Sequence, residues 1–172
     1  MRAWTFALAF TSLLAIPSVG HASDIDDCNS DQTETIIKGC SQIIDAGNAG
    51  KDALAVAFFN RGNAYGDSGD NDRSIADYTA AIKLKPDYVD SYFNRGLSYR
   101  EKKDFDSAIA DFNRVLKINP DYAKAYYARA GAYEGKGDLK QALADYKDAL
   151  RLAPGNQAVL KKISEVAQKL EQ

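Results

Sequence analysis

Three arginines, each followed at the same distance along the chain by an aspartate, are the residues whose types and spacing most clearly suggest chemistry. The pairs are Arg61 and Asp77, Arg95 and Asp111, and Arg129 and Asp145. A guanidinium beside a carboxylate forms strong, directional hydrogen bonds and could position a reacting group. An active site, however, brings unlike groups together once, whereas this pair recurs at a constant interval. We therefore interpret the pairs as ion pairs between helices, with catalysis as the alternative.

The other patterns that could support catalysis or metal binding are incomplete. The only histidine, His21, lies in a segment that we predict to be removed on export, and without it no serine or cysteine has a triad partner. Residues 47–52 lack two residues and the hydroxyl of a phosphate-binding loop. Asp70 begins a stretch like a calcium loop, but Ile75 stands where that loop requires glycine. The sequence predicts no enzyme, no metal site and no cofactor.

Residues 1–22 have the pattern of a secretory signal peptide. Arg2 is the only charge before Asp24, and an apolar run over 7–16 is followed by small residues that end at Ala22. The alternative is a membrane anchor, but a helix needs about 20 apolar residues to cross the hydrocarbon core. We expect cleavage between Ala22 and Ser23 and no membrane span in the mature chain. The expected location is periplasmic, with secretion from the cell as the alternative.

The charge of the mature chain argues against one class of partner. After cleavage, 21 basic and 24 acidic side chains give a formal charge of -3, and the basic residues form no block. A nucleic-acid-binding surface needs a basic patch or stripe. We therefore expect no nucleic acid partner.

Two cysteines remain in the mature chain, Cys28 and Cys40, with eleven residues between them. An oxidising compartment and an even cysteine count favour a disulfide. Two free thiols are the alternative, and the spacing does not match a redox-active pair. Asp31 with Glu34 resembles a helix start, and we expect that helix over about residues 32–46. Cys28 must then fold back along the helix to reach Cys40.

The chain repeats itself with a constant period. Aligned on a shared Asn-Arg-Gly, three units of equal length follow one another without a gap, namely 55–88, 89–122 and 123–156. The helical spacing of apolar residues in each unit is broken once by a short turn segment, and a proline near the end of each unit stops the second helix. Each unit therefore predicts two helices, the second capped by an aspartate. A period held through three copies indicates a stacked repeat protein.

The units resemble the tetratricopeptide repeat (TPR), whose signature places aromatics, small residues and a proline at fixed positions. In the first unit the matching residues are Phe58, Gly62, Tyr65, Ser74, Tyr78, Ala81 and Pro86. The resemblance implies an all-α, right-handed superhelical solenoid of helix-turn-helix pairs. The amphipathic stretch 157–172 is expected to be a C-terminal capping helix. Residues 23–54 are expected to form an N-terminal capping segment with one helix, followed by a flexible connection at 47–51.

The same resemblance implies a concave groove, lined by the first helix of each pair, that binds a partner protein or peptide. The predicted groove residues are Phe59, Asn60, Asn63, Phe93, Asn94, Leu97, Arg100, Lys124, Tyr127 and Glu134. Asparagine amides can pair with the backbone of an extended peptide, and aromatic rings can accept its side chains. Burial in the core would also explain the three aromatics.

Some TPR proteins grip a partner's C-terminal carboxylate with a clamp of five residues. Asn63, Asn94 and Lys124 match that clamp, but Phe59 and Ala128 stand where it has a lysine and an arginine. Since charge-assisted hydrogen bonds are the strong ones, we expect an apolar or mixed peptide segment in preference to an acidic tail. The predicted role is an adaptor or chaperone-like accessory. The alternative is a structural protein that forms a homo-oligomer through its repeat edges.

Overall fold

The structure is a computed structural model that describes residues 22–171 of the 172-residue chain. The predicted signal peptide therefore lies outside the described residues, apart from Ala22. The described residues form nine α-helices and no strand, which confirms the predicted all-α fold. The helices are α1 (Ala22–Cys28), α2 (Thr33–Ala46), α3 (Lys51–Asp67), α4 (Asn71–Leu84), α5 (Val89–Glu101), α6 (Phe105–Ile118), α7 (Ala123–Lys136), α8 (Leu139–Leu152) and α9 (Gln157–Leu170). Each helix packs mainly against the helices before and after it in the chain.

The helices α4, α6 and α8 each begin at a capping aspartate, as predicted. The Oδ1 atoms of Asp70, Asp104 and Asp138 accept a hydrogen bond from the backbone N–H three residues later, at 3.0, 3.2 and 3.2 Å. The residue before each cap has a positive φ, and in two of the three turns it is a glycine, which adopts this conformation without strain. Lys103 stands at that place in the second unit with φ 62°, so that turn carries a local conformational cost.

Two glycines allow the helices of a pair to cross closely. A Cβ atom added to Gly62 would lie 2.9 Å from the ring of Tyr78, and one added to Gly96 would lie 2.7 Å from the ring of Phe112. Both distances are well below the roughly 3.5–4.0 Å of ordinary carbon contacts. The small residue on the first helix and the aromatic on the second therefore fit only together.

The predicted arginine–aspartate ion pairs are present in all three units. Each arginine donates from Nε and Nη2 to the two carboxylate oxygens of its aspartate, at 2.7–2.8 Å. Nη1 of the same arginine reaches the second helix of the preceding pair, at Ser41 (2.8 Å), Thr79 (2.9 Å) or Asn113 (2.5 Å). One guanidinium thus joins the helices of its own pair to each other and to the pair before.

The N-terminal segment differs from the prediction. We predicted one helix between residues 23 and 54, but the structure has both α1 and α2 there, and α3 already begins at Lys51. The seven residues of α1 include three aspartates, so the helix is too short and too polar for a helical period to be visible. The predicted cap at Asp31 is also wrong, because α2 follows Gln32 and has no side-chain cap.

The helices α1 and α2 form an additional pair that continues the stack. Asn60 Nδ2 donates to Asn29 Oδ1 at 3.1 Å, and Asn94 Nδ2 donates to Asn63 Oδ1 at 2.8 Å. Both bonds span the same separation along the chain, and the second bond lies one repeat length after the first. The junction of α1 with α3 therefore repeats the junction of α3 with α5.

A disulfide closes the additional pair. The sulfur atoms of Cys28 and Cys40 lie 2.01 Å apart, and their Cα atoms lie 4.6 Å apart. Cys28 stands one repeat length before Gly62, at the glycine position of its pair. Cys40 stands at the aromatic position, because its neighbour Ser41 accepts from Arg61. In the next pair Thr79, the neighbour of Tyr78, accepts from Arg95 in the same way. The disulfide therefore occupies the crossing at which a glycine meets an aromatic ring in the next pair.

The last helix, α9, covers the C-terminal end of the stack. Its buried residues Val159 and Val166 pack against Ala130, Ala142 and Tyr146 of α7 and α8. The helix ends at Leu170, within the segment predicted to form it. Over residues 22–171, no helix has the length and apolar character needed to cross a membrane.

Candidate functional site

The predicted groove aromatics occupy equivalent positions on α3, α5 and α7, and all three are half-buried. The ring centroid of Phe59 lies 5.9 Å from that of Tyr78 and 4.9 Å from that of Tyr88. Phe93 makes the two equivalent contacts at 5.8 and 5.3 Å. In these two units the ring fills the concave surface by packing against other aromatics.

The third unit lacks one of these contacts. Tyr127 lies 5.3 Å from the ring of Tyr146, but Asn156 stands where the earlier units have Tyr88 and Tyr122. The side-chain oxygen of Asn156 accepts hydrogen bonds from two backbone N–H groups at the start of α9, at 3.1 and 3.3 Å. It caps that helix and does not cover the tyrosine, so the concave surface stays open there.

The opening is a cavity of about 580 Å³, which we name the C-terminal cavity, between α5, α7 and the junction of α8 with α9. Its volume falls in the range of roughly 300–1,000 Å³ that is typical of ligand sites. Five of the predicted groove residues converge on it, namely Phe93, Leu97, Arg100, Lys124 and Tyr127. The surface is largely apolar, and the charged groups in its wall are the two cations. Sequence reasoning missed the contribution of the α8–α9 junction, although the break in the aromatic pattern at residue 156 was a signal for it.

The predicted asparagines form hydrogen bonds within the protein. Asn63 Oδ1 accepts from the Nδ2 of Asn94 at 2.8 Å and from the hydroxyl of Tyr78 at 2.7 Å. Burial raises the pKa of Tyr78 to about 12, so the hydroxyl stays protonated at neutral pH. Both asparagines also line a more polar cleft of about 370 Å³. One repeat later Leu97 and Ala128 take the two asparagine positions, which explains why the C-terminal cavity is apolar.

A second apolar cavity, of about 350 Å³, lies between α1, α2 and α3, and we name it the N-terminal cavity. Its apolar wall includes Ile25, Ile43 and Val56, and the one charged residue that lines it is Asp52. Ile25 and Val56 are 53% and 43% exposed. The sequence did not predict this cavity, because α1 was not recognised as a helix.

Glu134 was predicted to line the groove, but the structure ties it to α9. Its carboxylate accepts hydrogen bonds from Lys169 (2.7 Å), Lys162 (3.3 Å) and the hydroxyl of Tyr146 (3.2 Å). Burial opposes ionisation of Glu134, but the two lysines outweigh this effect and lower its pKa. The residue therefore holds the last helix in place, and this contact engages both of its oxygens.

Solved structures share this fold. The first TPR of Spaghetti (RPAP3), bound to the HSP90 peptide SRMEEVD, is 29% identical with a TM-score of 0.68, over 70% of this chain and 96% of that chain. The second TPR domain of human RPAP3, in complex with the HSP70 peptide SGPTIEEVD, is 26% identical with a TM-score of 0.66, over 69% and 98%. MamA from Desulfovibrio magneticus RS-1 is 17% identical with a TM-score of 0.79, over 90% and 85%, and shows likeness of fold alone.

The sequence itself matches a family model. The model for the tetratricopeptide repeat matches residues 59–123 and 101–157, which together make up more than half of the chain. No curated protein matches the chain in sequence. The matched region contains the ion pairs, the capped turns and most of the C-terminal cavity described above. The chain therefore belongs to the tetratricopeptide repeat family.

Proposed function

We propose that the protein is an exported interaction module that binds a segment of a partner protein in its concave groove, as an adaptor or chaperone-like accessory. The observation that carries this proposal is the C-terminal cavity, which opens where Asn156 replaces the aromatic of the other units. The TPR structures of Spaghetti and human RPAP3, which hold peptides, support a peptide or protein segment as the ligand.

The wall of the C-terminal cavity indicates the chemistry of that segment. Leu97, Tyr127 and Ala128 offer apolar surface, while Arg100 and Lys124 supply positive charge. A buried apolar side chain gives affinity in proportion to the area removed from water, and an acidic group beside it would pair with the cations. We therefore propose an internal segment with an apolar residue next to an acidic one. A terminal carboxylate is less favoured, because two of the three cations of the known clamp are absent.

The export and the non-enzymatic role are parts of the same proposal. The signal-like residues 1–22 and the pair of cysteines, Cys28 and Cys40, favour an oxidising compartment, either the periplasm or the exterior of the cell. The interaction role accounts for the groove, and the ion pairs whose types suggested chemistry serve to join helices. No cofactor is part of this function.

Selection of peptides from a random display library on the purified protein tests the proposal. The selected peptides should carry an apolar residue beside Asp or Glu, and they should bind wild type much more tightly than Asn156→Tyr. The variant restores a ring where the other units have one and so fills the cavity. Asn156→Ser, which keeps a capping side chain at the start of α9 and adds no charge, is the matched control and should bind like wild type. Equal binding to Asn156→Tyr and wild type would contradict the proposed site.

A structural role in assembly is the second candidate, because both ends of the stack expose apolar side chains. Ile25 and Val56 are exposed at the N-terminal end, and Leu160 and Leu170 on α9. Residues 22–54 carry seven acidic and two basic side chains, whereas residues 139–171 carry four acidic and six basic ones. Opposite charges favour head-to-tail contact. Light scattering that finds a monomer at every concentration would contradict this second role.

A further inference from the structure

We infer that the partner segment is extended and has two apolar anchors separated by a short spacer, one beside basic residues and one beside acidic residues. The inference rests on the proposed function and adds the N-terminal cavity as a second subsite. It specifies which chemical features the partner must have and in what order along its chain.

The two cavities belong to the same face of the stack. Residues of the N-terminal cavity have counterparts in the C-terminal cavity two repeat lengths later. The counterparts are Ile25 and Phe93, Asn29 and Leu97, and Val56 and Lys124. Because the contacts between neighbouring pairs recur once in each repeat, equivalent residues point to the same side. Both cavities therefore open on the concave surface.

Aromatic packing explains why the cavities lie towards the two ends of this surface. In the units between them, Phe59 with Tyr88 and Phe93 with Tyr122 fill the concave side. The first pair has Ile25 at the position of these phenylalanines, and the third unit has Asn156 at the position of these tyrosines. A ligand that uses both cavities must therefore cross these packed rings and the more polar cleft lined by Asn63 and Asn94.

The intervening surface offers hydrogen bonds to an extended backbone. Asn60 and Asn94 each donate through Nδ2, and no donor among the described residues forms a hydrogen bond with the Oδ1 of either side chain. They can accept from backbone N–H groups of a segment that has no internal hydrogen bonds. Two repeat steps of about 10 Å each place the cavities about 20 Å apart. An extended chain rises about 3.3 Å per residue, which gives a separation of about six residues.

The charges give the ligand a direction. Asp52 is the charged residue of the N-terminal cavity, and Arg100 and Lys124 are those of the C-terminal cavity. The surrounding sequence has the same asymmetry, with a formal charge of -5 over residues 22–54 and +2 over residues 139–171. The anchor in the N-terminal cavity should therefore be flanked by Lys or Arg, and the other anchor by Asp or Glu.

Synthetic fluorescent peptides test this inference on the purified, disulfide-bonded protein. The two-anchor probe has, in order, two lysines, a leucine, five serines, a leucine and two aspartates, and it is also made in the reverse order. The single-anchor probe has serines in place of the lysine-flanked leucine and of its two lysines. Because the second contact becomes intramolecular, one direction of the two-anchor probe should bind at least about tenfold tighter than the single-anchor probe. Much shorter or much longer serine spacers should lose most of this gain.

Two variants separate the subsites. Val56→Arg, which obstructs the N-terminal cavity and opposes the lysines, should abolish the tenfold gain and leave the single-anchor affinity unchanged. Leu170→Arg is the control, because Leu170 lies outside both cavities and is 39% exposed, against 43% for Val56. This variant should change the affinity for neither probe. If both probes bind equally to wild type, the two-anchor inference is wrong and the proposed function stands. If neither probe binds, the proposed function itself fails.

Discussion

Asp111 illustrates how single side chains hold each repeat together. Its carboxylate is 7% exposed and accepts two hydrogen bonds from Arg95. Burial raises the pKa of Asp111, while the hydrogen bonds and charge of Arg95 oppose that rise. A buried charge that lacks its partner is strongly destabilising. The arginine and the aspartate therefore stabilise the repeat only as a pair, which is why both recur in every unit.

Replacing Asp111 by asparagine should lower the free energy of unfolding by about 3 kcal/mol, because Arg95 keeps its charge and loses the counter-charge. Urea denaturation monitored by circular dichroism measures the change. The matched control is Asp106→Asn on the same helix, where an 81% exposed carboxylate pairs with Lys136. Solvent screens such an exposed pair, so the control should lose much less stability. Similar losses in the two variants would contradict the structural role of the buried pair.

The position of a residue within its repeat predicts its contacts with residues of the same repeat better than its contacts with the terminal helices. The ion pairs could be predicted because arginine and aspartate keep the same spacing in each unit. Glu134 was assigned to the groove by its position, but its two lysines, Lys162 and Lys169, come from α9. A terminal helix follows no repeat pattern, so its side-chain contacts could not be read from the period.

At the scale of helices, the two ends of the stack are held by different means. The disulfide between Cys28 and Cys40 fastens α1 to α2, and apolar packing with the Glu134 ion pairs fastens α9 to α7. Terminal helices contact a neighbour on one side only, so they need such additional contacts. The sequence predicted the cysteine pairing and the C-terminal helix. It missed α1, because that helix holds only about two turns.

Removing the disulfide with the double variant Cys28→Ala/Cys40→Ala should lower the free energy of unfolding by about 2–3 kcal/mol, as expected for a short closed loop. The loss of protection from hydrogen exchange should be largest in α1, whose backbone amides should then exchange with solvent faster than those of α7. Hydrogen exchange with mass spectrometry resolves the two regions. Unchanged protection of α1 would contradict its dependence on the disulfide. Reduced wild type serves as the control and should behave like the double variant.

The contact of Glu134 with α9 should weaken in acid. Because the lysines make the pKa of Glu134 lower in the folded protein than in the unfolded one, its contribution to stability is present above the unfolded pKa of about 4.3. That contribution is lost as the pH falls through the folded pKa. The difference in unfolding free energy between wild type and Glu134→Gln should therefore be larger at neutral pH than in strong acid. Exposed Glu171→Gln is the control, and a pH-independent difference for Glu134→Gln would contradict the ion pairs.

At the scale of the whole molecule, the concave surface has an apolar cavity towards each end and a more polar cleft between them. The repeat period predicted the family, the helix pairs and five residues that converge on the C-terminal cavity. The two cavities themselves follow from departures from the period, at Ile25 and at Asn156. Such departures are visible in the sequence. Whether a departure opens a cavity depends on which aromatic rings pack at that position in the other units, and only the structure shows this packing.

Site-specific photo-crosslinking in the producing cells tests the central claim that this surface binds a partner. A photoreactive amino acid at Ala158, an exposed residue in the wall of the C-terminal cavity, should crosslink to a distinct partner protein. The same amino acid at Lys147, an exposed residue of α8 outside the cavity, should not, and the Ala158 crosslink should disappear in Asn156→Tyr. Equal crosslinking from the two positions, or a crosslink that survives Asn156→Tyr, would contradict the account.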